Sequence, residues 1–273
     1  MFSPHASGGH VWCYKELVQH LGQEQPFYGV QARRPDTGLV YHTEIEPMAS
    51  DYVEAIRSVQ PHGPYMLGGW SMGGVIAFEM ARQLQAQGEE IAMLALMDAE
   101  ANVLVEEAPE FSWGVLLSIF AVDLGLQLSQ LSTSVEEISA LPQMAQLRQL
   151  WKEAKLAGVV PSDMTLVEFR RLFDIFKINA KTLSSYRPGE YRGRITLFAA
   201  EQDIEEQIFS HDKNRLLWKA NHPGFDDPLK GWDKVATEGV DLIVVPGDHF
   251  SMMQEPHVQV LAEQLRNRIQ QTQ

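Results

Sequence analysis

The stretch from Tyr65 to Met97, YMLGGWSMGGVIAFEMARQLQAQGEEIAMLALM, decides the fold. Its first residues, Tyr65–Gly68, predict a short strand, and Gly73–Gln87 predicts a helix that Gly88 ends. Ile91–Met97 is apolar at every position, which is typical of a central parallel strand that is buried on both faces. The order of strand, glycine turn, helix and strand therefore predicts a parallel sheet covered by helices.

The same alternation continues on both sides of this stretch. Further strands are predicted at Phe27–Ala32, Arg194–Ala200 and Val240–Val245, and helices at Met48–Gln60 and from Pro256 to about Ile269. Strands that alternate with helices favour an α/β fold with a mostly parallel central sheet flanked by helices.

A block of helical sequence interrupts the alternation between Asn102 and Pro188. Helices are predicted there at Trp113–Leu126, Gln143–Ala157 and Leu166–Leu183, with breaks at Gly158 and Pro161. A connection of this length is seldom structureless in a compact domain. Because the strands resume after it, we expect a single domain, 1–273, with its core at 1–101 and 189–273 and a helical lid insertion at about 102–188. A separate helical domain is the alternative.

Composition narrows the possible partners and location. The chain has 273 residues, enough for one large α/β domain with its own core. Its formal net charge of −14 argues against nucleic acid, whose phosphates would be repelled. No apolar run approaches the ~18 residues that span a membrane, and the N-terminus lacks a cleavable signal pattern. The single cysteine, Cys13, has no partner for an internal disulfide, so we expect a cytoplasmic protein.

The glycine turn carries a candidate nucleophile. Gly69-Trp70-Ser71-Met72-Gly73 matches the pattern G-x-S-x-G between a predicted strand and a predicted helix, where a serine hydroxyl is exposed above the sheet. Serine needs a neighbouring base to react. Of the nine histidines, His249 fits this role best, because it directly follows the strand Val240–Val245 and precedes the last helix. Ser71 and His249 therefore predict a serine hydrolase.

Two aspartates compete for the third position of a catalytic triad. Asp98 ends the strand Ile91–Met97, and Asp203 follows the strand Arg194–Ala200. Both satisfy the chain order Ser, Asp, His. The commonest arrangement of such folds places the acid after the later strand, which favours Asp203. However, Asp203 lies in a very polar stretch that predicts a solvated loop, which favours Asp98. The residues alone leave this choice open.

An oxyanion hole requires N–H donors that are already in place. One is expected from Met72, directly after the nucleophile. The other is expected from the first loop, Phe2–Gly9 (FSPHASGG), whose glycines allow close backbone approach. Since the chain starts almost inside this loop, we expect the strand before it to be missing and the chain to be a piece of a longer multidomain protein.

Six segments together resemble a known family and cover nearly the whole chain. The chain resembles the terminal thioesterase domains of polyketide synthases and nonribosomal peptide synthetases, which have the α/β-hydrolase fold. The segments are FSPHASGGHVWCYKELVQHLG, PFYGVQA, GPYMLGGWSMGGVIAFEMARQLQAQG, LALMDAE, SYRPGEYRGRITLFAAE and VPGDHFSMMQEPHVQVLAEQL.

The resemblance implies roles for particular residues. In this family the acid follows the strand after the nucleophile helix, which implies Asp98. The family's first loop implies the N–H of Ala6 as the second oxyanion donor, although a common form, His-Pro-Ala-Gly-Gly, would align with His5–Gly9 instead.

The resemblance also implies a reaction and a partner. Ser71 would accept an acyl or peptidyl chain from the phosphopantetheine arm of an upstream carrier domain, and water or an internal nucleophile would then release it as an acid or a macrocycle. No cofactor of its own, no metal, no nucleic acid and no membrane is expected. A stand-alone editing thioesterase, a lipase or esterase for oxygen esters, and a non-catalytic binding module are the alternatives.

The predicted lid carries aromatic residues at helical spacing. Such residues usually form core, but in this family a lid covers a channel for the acyl chain. Candidates for the walls of that channel are Trp113, Leu117, Phe120, Trp151, Phe169, Phe173 and Phe176.

Overall fold

Six parallel strands form one sheet in this computed structural model, which describes residues 1–33, 41–101, 113–128, 131–133, 135–202 and 227–272. The strands are β1 (Phe2–Pro4), β2 (Tyr28–Val30), β3 (Tyr65–Trp70), β4 (Ile91–Met97), β5 (Ile195–Ala200) and β6 (Val240–Val245), in the spatial order β2-β1-β3-β4-β5-β6. The helices are α1 (Lys15–Leu21), α2 (Ile45–Arg57), α3 (Met72–Ala86), α4 (Trp113–Asp123), α5 (Val135–Ser139), α6 (Gln143–Leu156), α7 (Leu166–Ser185) and α8 (His257–Thr272).

Helices cover both faces of the sheet. On one face, α2 and α3 bury Ile56 and Phe78 against Leu67 and Leu96 of the central strands. On the other face, α1 and α8 share a second apolar cluster with the opposite side chains of β4. The strand β4 is buried from Met93 to Met97, as expected for a strand that is apolar at every position. The fold is therefore the predicted α/β architecture with a parallel sheet.

The ends of the central strands set the position of the site. The N–H of Ser71 donates to the carbonyl of Met97 at 2.9 Å, and the N–H of Asp98 donates to the carbonyl of Phe198 at 2.7 Å. These two bonds extend the ladders of β3, β4 and β5 by one residue each. Ser71 and Asp98 therefore leave the same, carboxyl, edge of the sheet.

The described part of the predicted lid is helical throughout its regular elements, α4 to α7, between β4 and β5. A capping box of Thr165 and Glu168 starts α7, and Gly158, with a φ of 70°, follows the end of α6. The residues 102–112, 129–130 and 134 of this segment lie outside the described residues. No helix in the described ranges is long and apolar enough to cross a membrane.

Two predictions about the first half of the chain are wrong. Phe2–Pro4, predicted to belong to the first loop, forms β1 and pairs in parallel with Tyr28–Val30 and with Leu67, so the strand expected to be missing is present. The helix predicted from Met48 begins three residues earlier, at Ile45, and contains Pro47. A proline is tolerated there because the N–H groups of a first helical turn have no partner within the helix.

Candidate active site

The turn at Ser71 has the strained geometry that its pattern predicts. Ser71 has a φ of 56°, a backbone conformation that residues other than glycine rarely adopt. The glycines around it have no room for a side chain. A Cβ on Gly69 would lie 2.3 Å from the backbone of Gly73, and one on Gly74 would lie 2.6 Å from the Cβ of Ala99. β3 and α3 therefore approach each other closely at this turn, and the side chain of Ser71 is partly exposed above the sheet, as the pattern predicts.

Three of the predicted residues meet at this edge through hydrogen bonds. The Oγ of Ser71 lies 3.1 Å from Nε2 of His249, and Nδ1 of His249 lies 2.7 Å from Oδ2 of Asp98. An ionised carboxylate only accepts hydrogen bonds, so Nδ1 carries the proton and Nε2 is free to accept from the Ser71 hydroxyl. This arrangement can move a proton from serine to imidazole while the carboxylate stabilises the resulting charge. Asp203, the competing aspartate, lies outside the described residues.

Hydrogen bonds from Trp70 and around Asp248 hold the loop that carries His249. The indole N–H of Trp70, the residue before Ser71, donates to the carbonyl of His249 at 2.8 Å. The carboxyl of Asp248 accepts from the N–H groups of Phe250 and Ser251, at 2.9 and 2.8 Å. The loop after β6 is thereby joined to the turn at Ser71.

The carboxylate of Asp98 has three donors. Its Oδ1 accepts from the N–H of Ala200 at 3.0 Å and lies 3.1 Å from Nζ of Lys230, while Oδ2 faces His249. Burial alone would raise the pKa of Asp98, but the hydrogen bond and charge of His249, the charge of Lys230 and the Ala200 N–H together hold it well below its usual range. Asp98 is therefore ionised at neutral pH.

The remainder of the first loop, His5–Gly9, lies directly against the turn at Ser71. The hydroxyl of Tyr14 connects them, because it donates to the carbonyl of Pro4 at 2.7 Å and accepts from the N–H of Trp70 at 3.0 Å. A Cβ on Gly73 would meet the carbonyl oxygens of Pro4 and His5, at 2.5 and 3.1 Å. The two N–H groups predicted as oxyanion donors, of Ala6 and Met72, thus belong to segments in contact.

Two buried histidines lie in this loop and directly after it. The His5 ring donates from Nδ1 to the carbonyl of Ala6 at 2.7 Å and accepts at Nε2 from the hydroxyl of Tyr52 at 2.7 Å. His10 lies with its Nε2 3.6 Å from Oδ2 of the buried Asp123, the last residue of α4. Burial lowers the pKa of each histidine to about 4 and raises that of Asp123 to about 7. The imidazoles of His5 and His10 are therefore neutral near pH 7.

The lid helices α4 and α7 contact the first loop. The side-chain amide of Asn179 on α7 donates to the carbonyl of Ser7 at 2.9 Å, and a Cβ on Gly8 would lie 2.2 Å from Oδ2 of Asp123 on α4. Gly9 has a φ of 76°, and a Cβ there would lie 2.5 Å from Ile175 of α7. The loop that carries Ala6 is thus held between the core and the lid, an arrangement that sequence reasoning missed.

The aromatic residues proposed as channel walls lie mostly in the interior of the lid. Phe120, Phe169 and Phe173 have no exposed surface, and the centroid of Phe120 lies 5.4 and 5.2 Å from those of the other two. Phe176 and Leu117 are also buried, Trp113 stacks edge-on against Phe173, and Trp151 is half-buried, its indole N–H donating to Met164. Contact of these residues with a substrate stays a prediction.

A cavity of about 330 Å³ lies between the first loop and the lid. Its lining includes both apolar and charged side chains, and Gly9 and His10 form the side next to the first loop. The apolar side chains include Trp12, Met164, Leu172 and Ile175, and the charged ones are Asp163, Glu168 and Arg171. Trp113, Phe120, Trp151 and Phe173 are not among the described residues that line it. No sequence pattern indicated it, because its walls come from the first loop and the residues after it, the two residues after β2, and the segment before and at the start of α7.

Comparison with known proteins gives a consistent family. The thioesterase domain family matches residues 1–269. A dimodular nonribosomal peptide synthase of Bacillus subtilis (strain 168) is 34% identical over 200 residues, which are 72% of this chain and 8% of that protein. The chain spans about a quarter or less of the length of the curated relatives it matches.

Solved structures agree with the fold. A four-domain nonribosomal peptide synthetase bound to AMP and glycine is similar with a TM-score of 0.77 and 29% identity, over 97% of this chain and 19% of that one. The NocB thioesterase domain, in covalent complex with a fluorophosphonate nocardicin G analogue, has a TM-score of 0.62 at 22% identity, over 98% of this chain and 93% of that one. The predicted α/β-hydrolase fold is confirmed.

Proposed function

This chain belongs to the thioesterase domain family, and we propose that it is a chain-releasing serine thioesterase of a nonribosomal peptide or polyketide synthase. The observation that carries the proposal is the continuous hydrogen-bond path from Ser71 through His249 to Asp98, at 3.1 and 2.7 Å. The relatives are multidomain synthetases, which supports an upstream carrier domain as the partner.

The reaction proceeds in two halves. His249 takes the proton from the Ser71 hydroxyl as Oγ attacks the thioester carbonyl, and the N–H groups of Ala6 and Met72 stabilise the oxyanion that forms. The C–S bond then breaks, the pantetheine thiol leaves with the proton from His249, and Ser71 carries the chain as an oxygen ester. In the second half, His249 activates water or a nucleophile within the chain, which releases an acid or a macrocycle.

The acyl chain occupies the cavity beside the first loop. Support comes from its apolar walls, Leu172 and Ile175, and from its border on Gly9, three residues from the proposed donor Ala6. An acyl chain bound there lies next to the loop that stabilises the oxyanion.

Intact-protein mass spectrometry tests the proposal. Incubation with acyl-pantetheine thioesters of increasing length should add the acyl mass to the wild-type chain and not to Ser71→Ala, and the released products show hydrolysis or cyclisation. A large preference for oxygen esters over thioesters would favour a lipase or esterase. Fast turnover restricted to short acyl groups would favour an editing thioesterase, and the absence of any adduct or turnover would favour a binding module.

A further inference from the structure

A buried lysine contacts the acid of the proposed triad. Nζ of Lys230 lies 3.1 Å from Oδ1 of Asp98, and the side chains of the two residues are 10% and 3% exposed. Placing a charged ammonium group in the interior is costly unless it is paired. Here the ammonium group is paired with a carboxylate that already accepts from Ala200 and His249.

The backbone around Lys230 is built to hold it in this position. Lys230 has a φ of 49°, a conformation unfavourable for a side chain of its size. The carboxyl of Asp227 accepts from the N–H groups of Leu229 and Gly231, at 3.0 and 3.1 Å, which closes the turn around Lys230. An unfavourable conformation persists only where surrounding contacts determine it.

The same turn is fastened to the chain immediately after Asp98. The N–H of Ala101 donates to the carbonyl of Lys230 at 2.9 Å, and the indole of the fully buried Trp232 donates to the carbonyl of Ala99 at 2.8 Å. The backbone of Lys230 is therefore fixed next to the chain that follows Asp98, and its side chain reaches the carboxylate from there.

The two oxygens of Asp98 have separate partners. Oδ1 accepts from Ala200 and faces Lys230, whereas Oδ2 is left for His249. Within the described chain, the charges that act on Asp98 are those of His249 and Lys230. The Asp248 carboxyl beside His249 is engaged by backbone N–H groups, and the His257 ring packs near Gly247.

We propose that Lys230 is a positioning residue of the triad, which fixes the Asp98 carboxylate with Oδ2 toward His249 and limits how strongly that carboxylate stabilises the protonated imidazole. The inference rests on the proposed function only in assigning a catalytic role to Ser71, His249 and Asp98. A positive charge next to Asp98 opposes a second positive charge on His249, so removing it favours the protonated imidazole.

The test measures His249 without any substrate. The imidazole of His249 is titrated by NMR in the Ser71→Ala chain, with and without Lys230→Met. The midpoint should move to higher pH by about one unit, a tenfold change in proton affinity. Lys234→Met is the matched control, because Lys234 is an exposed lysine of the same segment, and its midpoint should stay in place.

Reaction with a fluorophosphonate provides the kinetic readout in chains that retain Ser71. In Lys230→Met the acid limb of the labelling rate should move to higher pH, and the plateau should fall about tenfold. An unmoved midpoint with a normal plateau overturns the proposal, and a reduced plateau with an unmoved midpoint reduces Lys230 to a structural residue.

Lys230→Arg decides the matter if Lys230→Met does not fold. It keeps the charge and displaces the donor, so the plateau should fall about threefold with the acid limb in place, and a wild-type plateau overturns the positioning role. None of these readouts uses a thioester, so failure of the proposed chain-release function leaves them intact.

Discussion

Replacing Asp98 by asparagine tests the proposed triad most directly, because the neighbours of the carboxylate dictate how the amide must turn. The Oδ1 position faces two donors, the N–H of Ala200 and Nζ of Lys230. If the asparagine placed its NH₂ group there, donors would face donors. Its oxygen therefore takes the Oδ1 position, and its NH₂ group points at Nδ1 of His249.

The tautomer of His249 then changes. Nδ1 must accept from the asparagine, so the proton moves to Nε2, which can no longer take the proton of Ser71. The opposite orientation places the asparagine NH₂ group against the N–H of Ala200 and Nζ of Lys230, which costs about 1–3 kcal/mol for each donor that loses this acceptor, or about 2–6 kcal/mol together. Each 1.36 kcal/mol is a factor of ten. Asp98→Asn should therefore lower the turnover number by about 1.5 to 4 orders of magnitude.

The assay compares four chains with an acyl-pantetheine thioester and with a fluorophosphonate. Asp203→Asn should retain nearly full activity, as should Asp241→Asn, whose carboxylate pairs with Arg194 and Arg268 away from the site. Thermal unfolding of each chain shows that the fold is retained. If Asp203→Asn is the crippled variant and Asp98→Asn stays within about tenfold of wild type, the acid is misassigned.

Three further predictions concern the nucleophile, the first loop and the lid. Ser71→Ala should abolish fluorophosphonate labelling while leaving the melting temperature within a few degrees, and labelling that persists would refute the assignment. The raised pKa of Asp123, about 7, means that between about pH 4 and 7 the folded chain keeps a proton that the unfolded chain loses, so stability falls as pH rises through that window. Asp123→Asn should remove up to about 2.6 kcal/mol of this dependence, measured by denaturant titrations at pH 5 and 8, whereas the exposed control Asp163→Asn should not. In hydrogen exchange, amides of the described lid helices should exchange faster than those of Ile91–Met97 and slow when an acyl mimic is attached to Ser71, and equal protection in both states would mean a static lid.

The sequence predicts most of the core because its signals there are local. The apolar run of β4 and the glycine turn at Ser71 each specify their geometry within a few residues, and the observed strands begin and end within two residues of those predictions. The first strand was missed because three residues carry no period. Its identity comes from pairing with Tyr28–Val30 and Leu67, which are distant in sequence.

The site was predicted less completely because its contacts join distant segments. Asp98 and Asp203 each follow a strand, and only the hydrogen bond to His249 shows that Asp98 lies in reach of the base. Lys230 gave no signal, since a single lysine in a polar sequence is expected on the surface. The support of the first loop by Asn179 was also hidden, because it depends on how the lid folds back over the core.

Backbone strain marks the same three positions that the side-chain contacts identify. In the described chain, the residues other than glycine with a positive φ are Ser71, Asp98 and Lys230, at 56°, 45° and 49°. Each such conformation costs on the order of 1–3 kcal/mol and persists where surrounding contacts determine it. Those contacts are the ladder bonds from Ser71 and Asp98 and the closed turn around Lys230. Because the three strained residues form one connected path with His249, the strain lies within the candidate site, which supports the proposal that Lys230 belongs to it together with Ser71.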